Sequence, residues 1–187
     1  MKKAFIIHGT YGNPEENWFP WLSKELEGEG YEVAVPAFPT PEDQTLDSWR
    51  SVFSEYENSL DPETILIGHS LGAAFILDIL ERTERPIRAA YLVAGFLSPL
   101  GNQKFDTLNS SFVERSFDWE MIKQNAEQIF VIASDNDPYV PEEHGYDIAS
   151  RLETEPAIIE NAGHFNTRSG YKTFDLLRDM IREENRV

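Results

Sequence analysis

The chain has 187 residues, 41% of them hydrophobic and 12% aromatic, which is the size and apolar content of one globular domain spanning residues 1–187 rather than of a disordered segment. Its 33 acidic and 16 basic residues give a net charge of −17, so nucleic acid and anionic membrane surfaces are repelled rather than bound. It has no cysteine, which excludes disulfides, thiolate nucleophiles and thiolate-held metals.

Taken in order, the chain alternates short apolar runs with amphipathic ones. Two lysines precede Ala4-Phe5-Ile6-Ile7, an apolar run too short for a signal peptide. No other run is long enough to span a membrane, so a cytoplasmic protein is expected. Ala4 to Ile7 reads instead as a strand buried on both faces. The polar loop from Thr10 to Asn17 follows. Next comes a helix with Trp18, Leu22 and Leu26 on one face, closed by Gly28 and Gly30. Tyr31 to Val35 is a second strand, stopped by Pro36. Pro36, Pro39 and Pro41 hold the next segment extended. Leu46 to Leu60 has helical spacing at Trp49, Val52, Phe53 and Tyr56.

The third strand leads into Gly68-His69-Ser70-Leu71-Gly72, a G-x-S-x-G between an apolar strand and an apolar helix that runs to about Thr83. That context makes it a nucleophile elbow: Ser70 sits on a tight turn with its hydroxyl projecting past the strand end. Gly68 and Gly72 are there because the strand and helix backbones approach too closely for a Cβ. Leu71 opens the helix, where its N–H is free to hold an oxyanion.

Ile87 to Ala94 is a fourth strand. Residues 96–118 show no clean period but carry Phe105, Phe112 and Phe117, and are expected to form a short lid or a wall of the acyl pocket. A short helix from Trp119 to Ala126 precedes the fifth strand, Ile129 to Ala133. Glu142 to Leu152 is helical, Ala157 to Glu160 is the sixth strand, and a last helix carries Tyr171, Phe174, Leu177 and Ile181. Repeated strand-then-helix order implies a parallel sheet covered on both faces.

In such a sheet, functional loops follow the carboxyl ends of the strands. Ser70 lies after the third strand, Asp135 and Asp137 after the fifth, and His164 after the sixth. The order Ser, Asp, His is that of the α/β-hydrolase arrangement. His164 is the candidate base that activates the Ser70 hydroxyl. Asp137 is preferred as its orienting carboxylate, because Pro138 and Pro141 stiffen its loop; Asp135 is the alternative, with a loop-capping role otherwise. The second oxyanion donor should be a backbone N–H after the first strand, Thr10 first and Tyr11 second. His8 and His69 are assigned structural hydrogen bonds. His144, with Glu142 and Glu143, reads as a solvated helix start rather than a metal site.

The chain resembles the small single-domain serine hydrolases that include retinoblastoma-binding protein 9. The likeness is carried by Phe5-Ile6-Ile7-His8-Gly9, Trp18, Trp21-Leu22, Glu25-Leu26, the elbow, Trp119-Glu120-Met121-Ile122-Lys123, Asp137-Pro138-Tyr139-Val140-Pro141 and Gly163-His164-Phe165-Asn166. The resemblance implies a trimmed three-layer α/β-hydrolase fold with a six-stranded parallel sheet in the order 2-1-3-4-5-6. It also implies a catalytic set of Ser70, Asp137 and His164 and a carboxylesterase-like activity on small esters. No cofactor or metal is implied. A cysteine-dependent pocket-protein partner is not carried over to a chain without cysteine, and no other protein partner is indicated. The alternative is a non-catalytic binding or scaffold protein on the same fold.

Overall fold

Side-chain alternation along the strands decides which residues meet which helices. In β1 (Lys3–Ile7), Phe5 and Ile7 face one way and Ala4 and Ile6 the other; in β3 (Thr64–His69), Leu66 is sorted from Ile65 and Ile67 in the same manner. A computed structural model describes residues 1–184. The remaining elements are α1 (Phe19–Gly28), β2 (Glu32–Ala34), α2 (Leu46–Glu57), α3 (Leu71–Arg82), β4 (Ile87–Val93), α4 (Gln103–Val113), α5 (Trp119–Gln124), β5 (Ala126–Ser134), α6 (Glu142–Arg151), β6 (Ala157–Ile159) and α7 (Asp175–Glu184).

The six strands form one sheet in the order β2-β1-β3-β4-β5-β6, every pair parallel, as the resemblance implied. One core lies under α1 and α7, with Trp18, Phe19, Leu22, Leu177 and Ile181 against Ile6, Ile65 and Ile67. The other lies under α2 to α6, where Trp49, Phe53, Phe75, Phe112 and Ile148 meet Phe5, Ile7 and Leu66. Both edge strands are only three residues long, which limits unpaired edge. Registers Ile7 with Gly68 and His69 with Val93 bring the strand ends level, so the loops after β1, β3, β5 and β6 gather at one end of the sheet.

α3 crosses the middle of one face with every residue from Leu71 to Leu80 buried. One of these is Asp78, whose carboxylate takes Arg50 Nη2 at 2.6 Å, Arg82 Nε at 3.0 Å and Arg115 Nη1 at 3.3 Å. A buried carboxylate persists only with such compensation.

Three expectations change. The segment 96–118 is not aperiodic throughout, since it contains α4, capped by Asn102, whose side chain accepts from Phe105 N–H at 3.3 Å. Its inward face carries Phe105, Asn109, Phe112 and Val113 at helical spacing, and Asn109 breaks the apolar stripe that would have revealed it. Tyr171 and Phe174 precede the last helix. Gly170 turns left-handed at φ 90°, and both rings pack on Phe165 instead, at 5.2 and 5.3 Å. The short helix stops at Gln124 and β5 begins at Ala126, because Ala126 pairs with Ile87 of β4.

Candidate active site

The elbow is built by close backbone approach. Ser70 stands at φ 56°, ψ −120°, a region that costs a non-glycine residue energy and persists only where the surroundings enforce it. Enforcement comes from both sides: Ser70 N–H donates to Val93 O at 2.8 Å, and the flanking glycines admit no side chain. A Cβ on Gly68 would lie 2.6 Å from the Gly72 carbonyl; one on Gly72 would strike the Ile7 carbonyl oxygen and come within 2.8 Å of that of His8. The expected reason for both glycines therefore holds, with the addition that Gly72 abuts β1 as well as its own turn.

His164 Nδ1–H donates to Asp137 Oδ2 at 2.7 Å, and Asp137 Oδ1 accepts from the N–H groups of Tyr139 at 2.8 Å and Val140 at 3.0 Å. The carboxylate thus has three donors and almost no exposure. In the neutral ring that bond selects the tautomer with its proton on Nδ1 and its lone pair on Nε2. The other candidate acid is engaged elsewhere: Asp135 Oδ1 accepts Asn161 N–H at 2.7 Å. With Ser134 Oγ accepting from Ala162 and Asn136 Oδ1 from Gly163, Asp135 fastens the loop after β5 to the loop after β6. Gly163 is required there. At φ 57° it is left-handed, and a Cβ would collide with Ser169 Oγ.

The two remaining buried histidines are fixed and neutral. Phe38 N–H donates to His8 Nε2 at 3.0 Å, so the His8 proton is on Nδ1, which donates to Gly9 O at 2.9 Å; burial lowers its pKa. His69 Nε2–H donates to the His164 carbonyl at 2.8 Å. Burial first, and the neighbouring His164 second, depress the His69 pKa to about 3. His69 therefore holds the backbone of the residue beside Asp137.

The loop after β1 closes over Ser70. A Cβ on Gly9 would lie 2.8 Å from Ser70 Cβ and 3.3 Å from its Oγ. Tyr11 N–H donates to Thr40 Oγ1 at 2.7 Å. Thr10 N–H has no acceptor among the described residues, and Leu71, at the first position of α3, has no preceding helical turn to supply one.

Ser70 and His164 both line a cavity of about 510 Å³, together with Thr10, with Phe105 and Leu100 from the segment after β4, and with the exposed Tyr139 and Arg168. Sequence reasoning missed Tyr139, whose ring sits edge-on to His164 at 5.2 Å, and Arg168. It also missed Gln44 and Asn109, polar residues in a loop and in an unrecognised helix, for which no motif exists. His144 is apart from this group. Among the described residues no cluster of three or more potential ligands could hold a metal ion, and no helix is long and apolar enough to cross a membrane.

A parallel 2-1-3-4-5-6 sheet with an elbow serine after its third strand defines an α/β hydrolase. Comparison with known families carries this further: the serine hydrolase model matches residues 4–183, and the chain belongs to that family. It is 30% identical to YdeN of Bacillus subtilis over 182 residues, covering 96% of this chain and 94% of that one. Serine hydrolase RBBP9 of Rattus norvegicus is 29% identical over the same length, covering 96% and 95%. The solved ydeN gene product of B. subtilis superposes over 100% of both chains with a TM-score of 0.93. Est1E of Butyrivibrio proteoclasticus, solved with ferulic acid, shares the fold at TM-score 0.74 and 14% identity, over 100% of this chain and 90% of its own.

Proposed function

We propose that the chain is a carboxylesterase-like serine hydrolase that cleaves small esters through an acyl-enzyme on Ser70. The observation that supports this most is the Asp137–His164 pair, which orients the imidazole beside the cavity that Ser70 also lines. In this mechanism Ser70 Oγ attacks the ester carbonyl carbon while His164 Nε2 takes the hydroxyl proton. The carbonyl oxygen becomes an oxyanion held by the N–H groups of Leu71 and Thr10. Collapse of the tetrahedral intermediate breaks the ester C–O bond, and the alcohol leaves with the proton from His164. Water then attacks the acyl-enzyme carbonyl, losing its proton to His164, and the proton returns to Ser70 as the acid departs.

Asp137 keeps Nδ1 protonated and balances the imidazolium at each stage. Leu100 and Phe105 give the acyl group an apolar wall, which makes the segment 96–118 a pocket wall in this reading rather than a moving lid. A thioester or amide would use the same groups, and the cytoplasm is the proposed compartment. The test is fluorophosphonate labelling of wild type and Ser70→Ala, with a panel of nitrophenyl esters of increasing acyl length. Labelling and turnover that vanish together in Ser70→Ala support the reading. A folded wild type that neither labels nor hydrolyses any ester overturns it in favour of a binding protein.

A further inference from the structure

We propose that Gln44 and Asn109 are positioning residues that hold the Thr10 loop in register with Ser70, making α4 part of the oxyanion site. The inference rests on the hydrolase reading given above.

Both side chains are buried, Asn109 completely, and they belong to one directed chain of hydrogen bonds. Its direction is set by the backbone at its two ends. Tyr11 N–H can only donate, and does so to Thr40 Oγ1 at 2.7 Å, so the Thr40 hydroxyl donates onward to Gln44 Oε1 at 2.5 Å. The Leu108 carbonyl can only accept, so it takes Gln44 Nε2–H, at 3.3 Å. Gln44 Nε2 also donates to Asn109 Oδ1 at 2.7 Å, and Thr10 Oγ1–H donates to the same oxygen at 2.6 Å. Turning Gln44 would set its oxygen against the Leu108 carbonyl, acceptor against acceptor, and turning Asn109 would set its Nδ2 against Gln44 Nε2, donor against donor.

The network grips the loop at Thr10 through its side chain and at Tyr11 through its N–H. A third restraint acts on the peptide between Gly9 and Thr10, whose carbonyl accepts Gly12 N–H at 3.0 Å and His8 Nδ1–H at 2.9 Å. Because that peptide is planar and trans, its N–H points the opposite way from the held carbonyl. That N–H is Thr10's. Leu46 N–H donates to Ser111 Oγ at 3.0 Å, a second tie between α4 and the segment bearing Gln44.

Packing alone does not account for Asn109. Its neighbours on the inward face of α4 are Phe105, Phe112 and Val113, and its own Nδ2 is buried without a partner. A leucine would remove that orphan donor but leave the Thr10 hydroxyl and one Gln44 N–H without the oxygen that receives them. Asn109 is therefore kept for its Oδ1, which receives Thr10 and Gln44 together.

The experiment compares wild type, Thr10→Val, Thr10→Ser and Asn109→Leu on a short-chain nitrophenyl ester. Enzyme is counted by fluorophosphonate active-site titration, and thermal melts are run in parallel. Thr10→Val removes only the hydroxyl. It is expected to lower kcat by between about tenfold and 10²-fold, approaching the loss of one oxyanion donor, with KM and melting temperature close to wild type. Thr10→Ser should restore kcat. Asn109→Leu should lower kcat similarly, and the double variant Thr10→Val/Asn109→Leu should be no worse than the poorer single one, since both cut the same chain. If Asn109→Leu fails to fold, the Thr10 pair decides alone. Unchanged kcat in Thr10→Val, or a rise confined to KM, overturns the proposal. A wild type that neither labels nor turns over ester removes the hydrolase reading and this inference with it.

Discussion

Acidification should unmask His69. Its ring is buried beside Trp18, Phe19 and His164, and its Nε2–H holds the His164 carbonyl. Burial and the nearby His164 lower its pKa from 6.5 to about 3. The folded state refuses a proton that the unfolded state accepts, so the neutral ring costs nothing above pH 6.5. Stability is lost as pH falls below that value, and the loss continues to about pH 3. At about 1.36 kcal/mol per pH unit, one such histidine removes about 2 kcal/mol between pH 7 and pH 5. Urea unfolding at both pH values, for wild type and His69→Gln, isolates this amount. Glutamine keeps an N–H to reach the His164 carbonyl but does not titrate, while His8 and the carboxylates are common to both proteins and cancel. Wild type should lose about 2 kcal/mol more than the variant. Equal losses, within about 0.5 kcal/mol, would mean that His69 is solvated or charged in the folded state.

Asp137→Asn should leave the fold intact and reduce kcat about 10⁴-fold by releasing the His164 tautomer, read by steady-state kinetics after active-site titration. Gly72→Ala meets the carbonyls of Ile7 and His8 and should destabilise by about 1–3 kcal/mol or more. Gly28→Ala, near the end of α1 with nothing within 4 Å, should instead gain up to about 1 kcal/mol; denaturant midpoints of the two variants separate steric from helix-propensity effects. Asp78→Ala removes the carboxylate shared by Arg50, Arg82 and Arg115, which keep Asp47, Glu57 and Glu81, and should cost about 1–3 kcal/mol, measured the same way. Arg168 has Tyr139 Oη at 3.5 Å and no carboxylate partner among the described residues. An ester ending in a carboxylate should therefore show a KM about two- to fivefold below its neutral isostere, the range of an exposed ion pair, and Arg168→Ala should abolish that ratio.

What the sequence made legible follows from how each feature is encoded. The elbow is encoded locally, since strand, Gly68, Ser70, Gly72 and apolar helix are contiguous and each glycine answers a backbone collision visible at that spot. The sheet order was legible through family resemblance; the parallel strand pairing was legible through strand-helix alternation. Asp137 could be preferred over Asp135 from Pro138, yet its three donors come from Tyr139, Val140 and His164, the last 27 residues away. The Thr10 loop is a harder case. Its restraints come from residues 40, 44 and 109, scattered positions with no spacing rule, and the same asparagine that completes the network hid α4 by interrupting its apolar face. Hydrophobic patterning reports which residues are removed from water, whereas a buried polar network is written as exceptions to that pattern. Residues that fasten a loop through buried hydrogen bonds are thus the ones that periodicity misreads, and a buried asparagine between phenylalanines is the form the exception takes here.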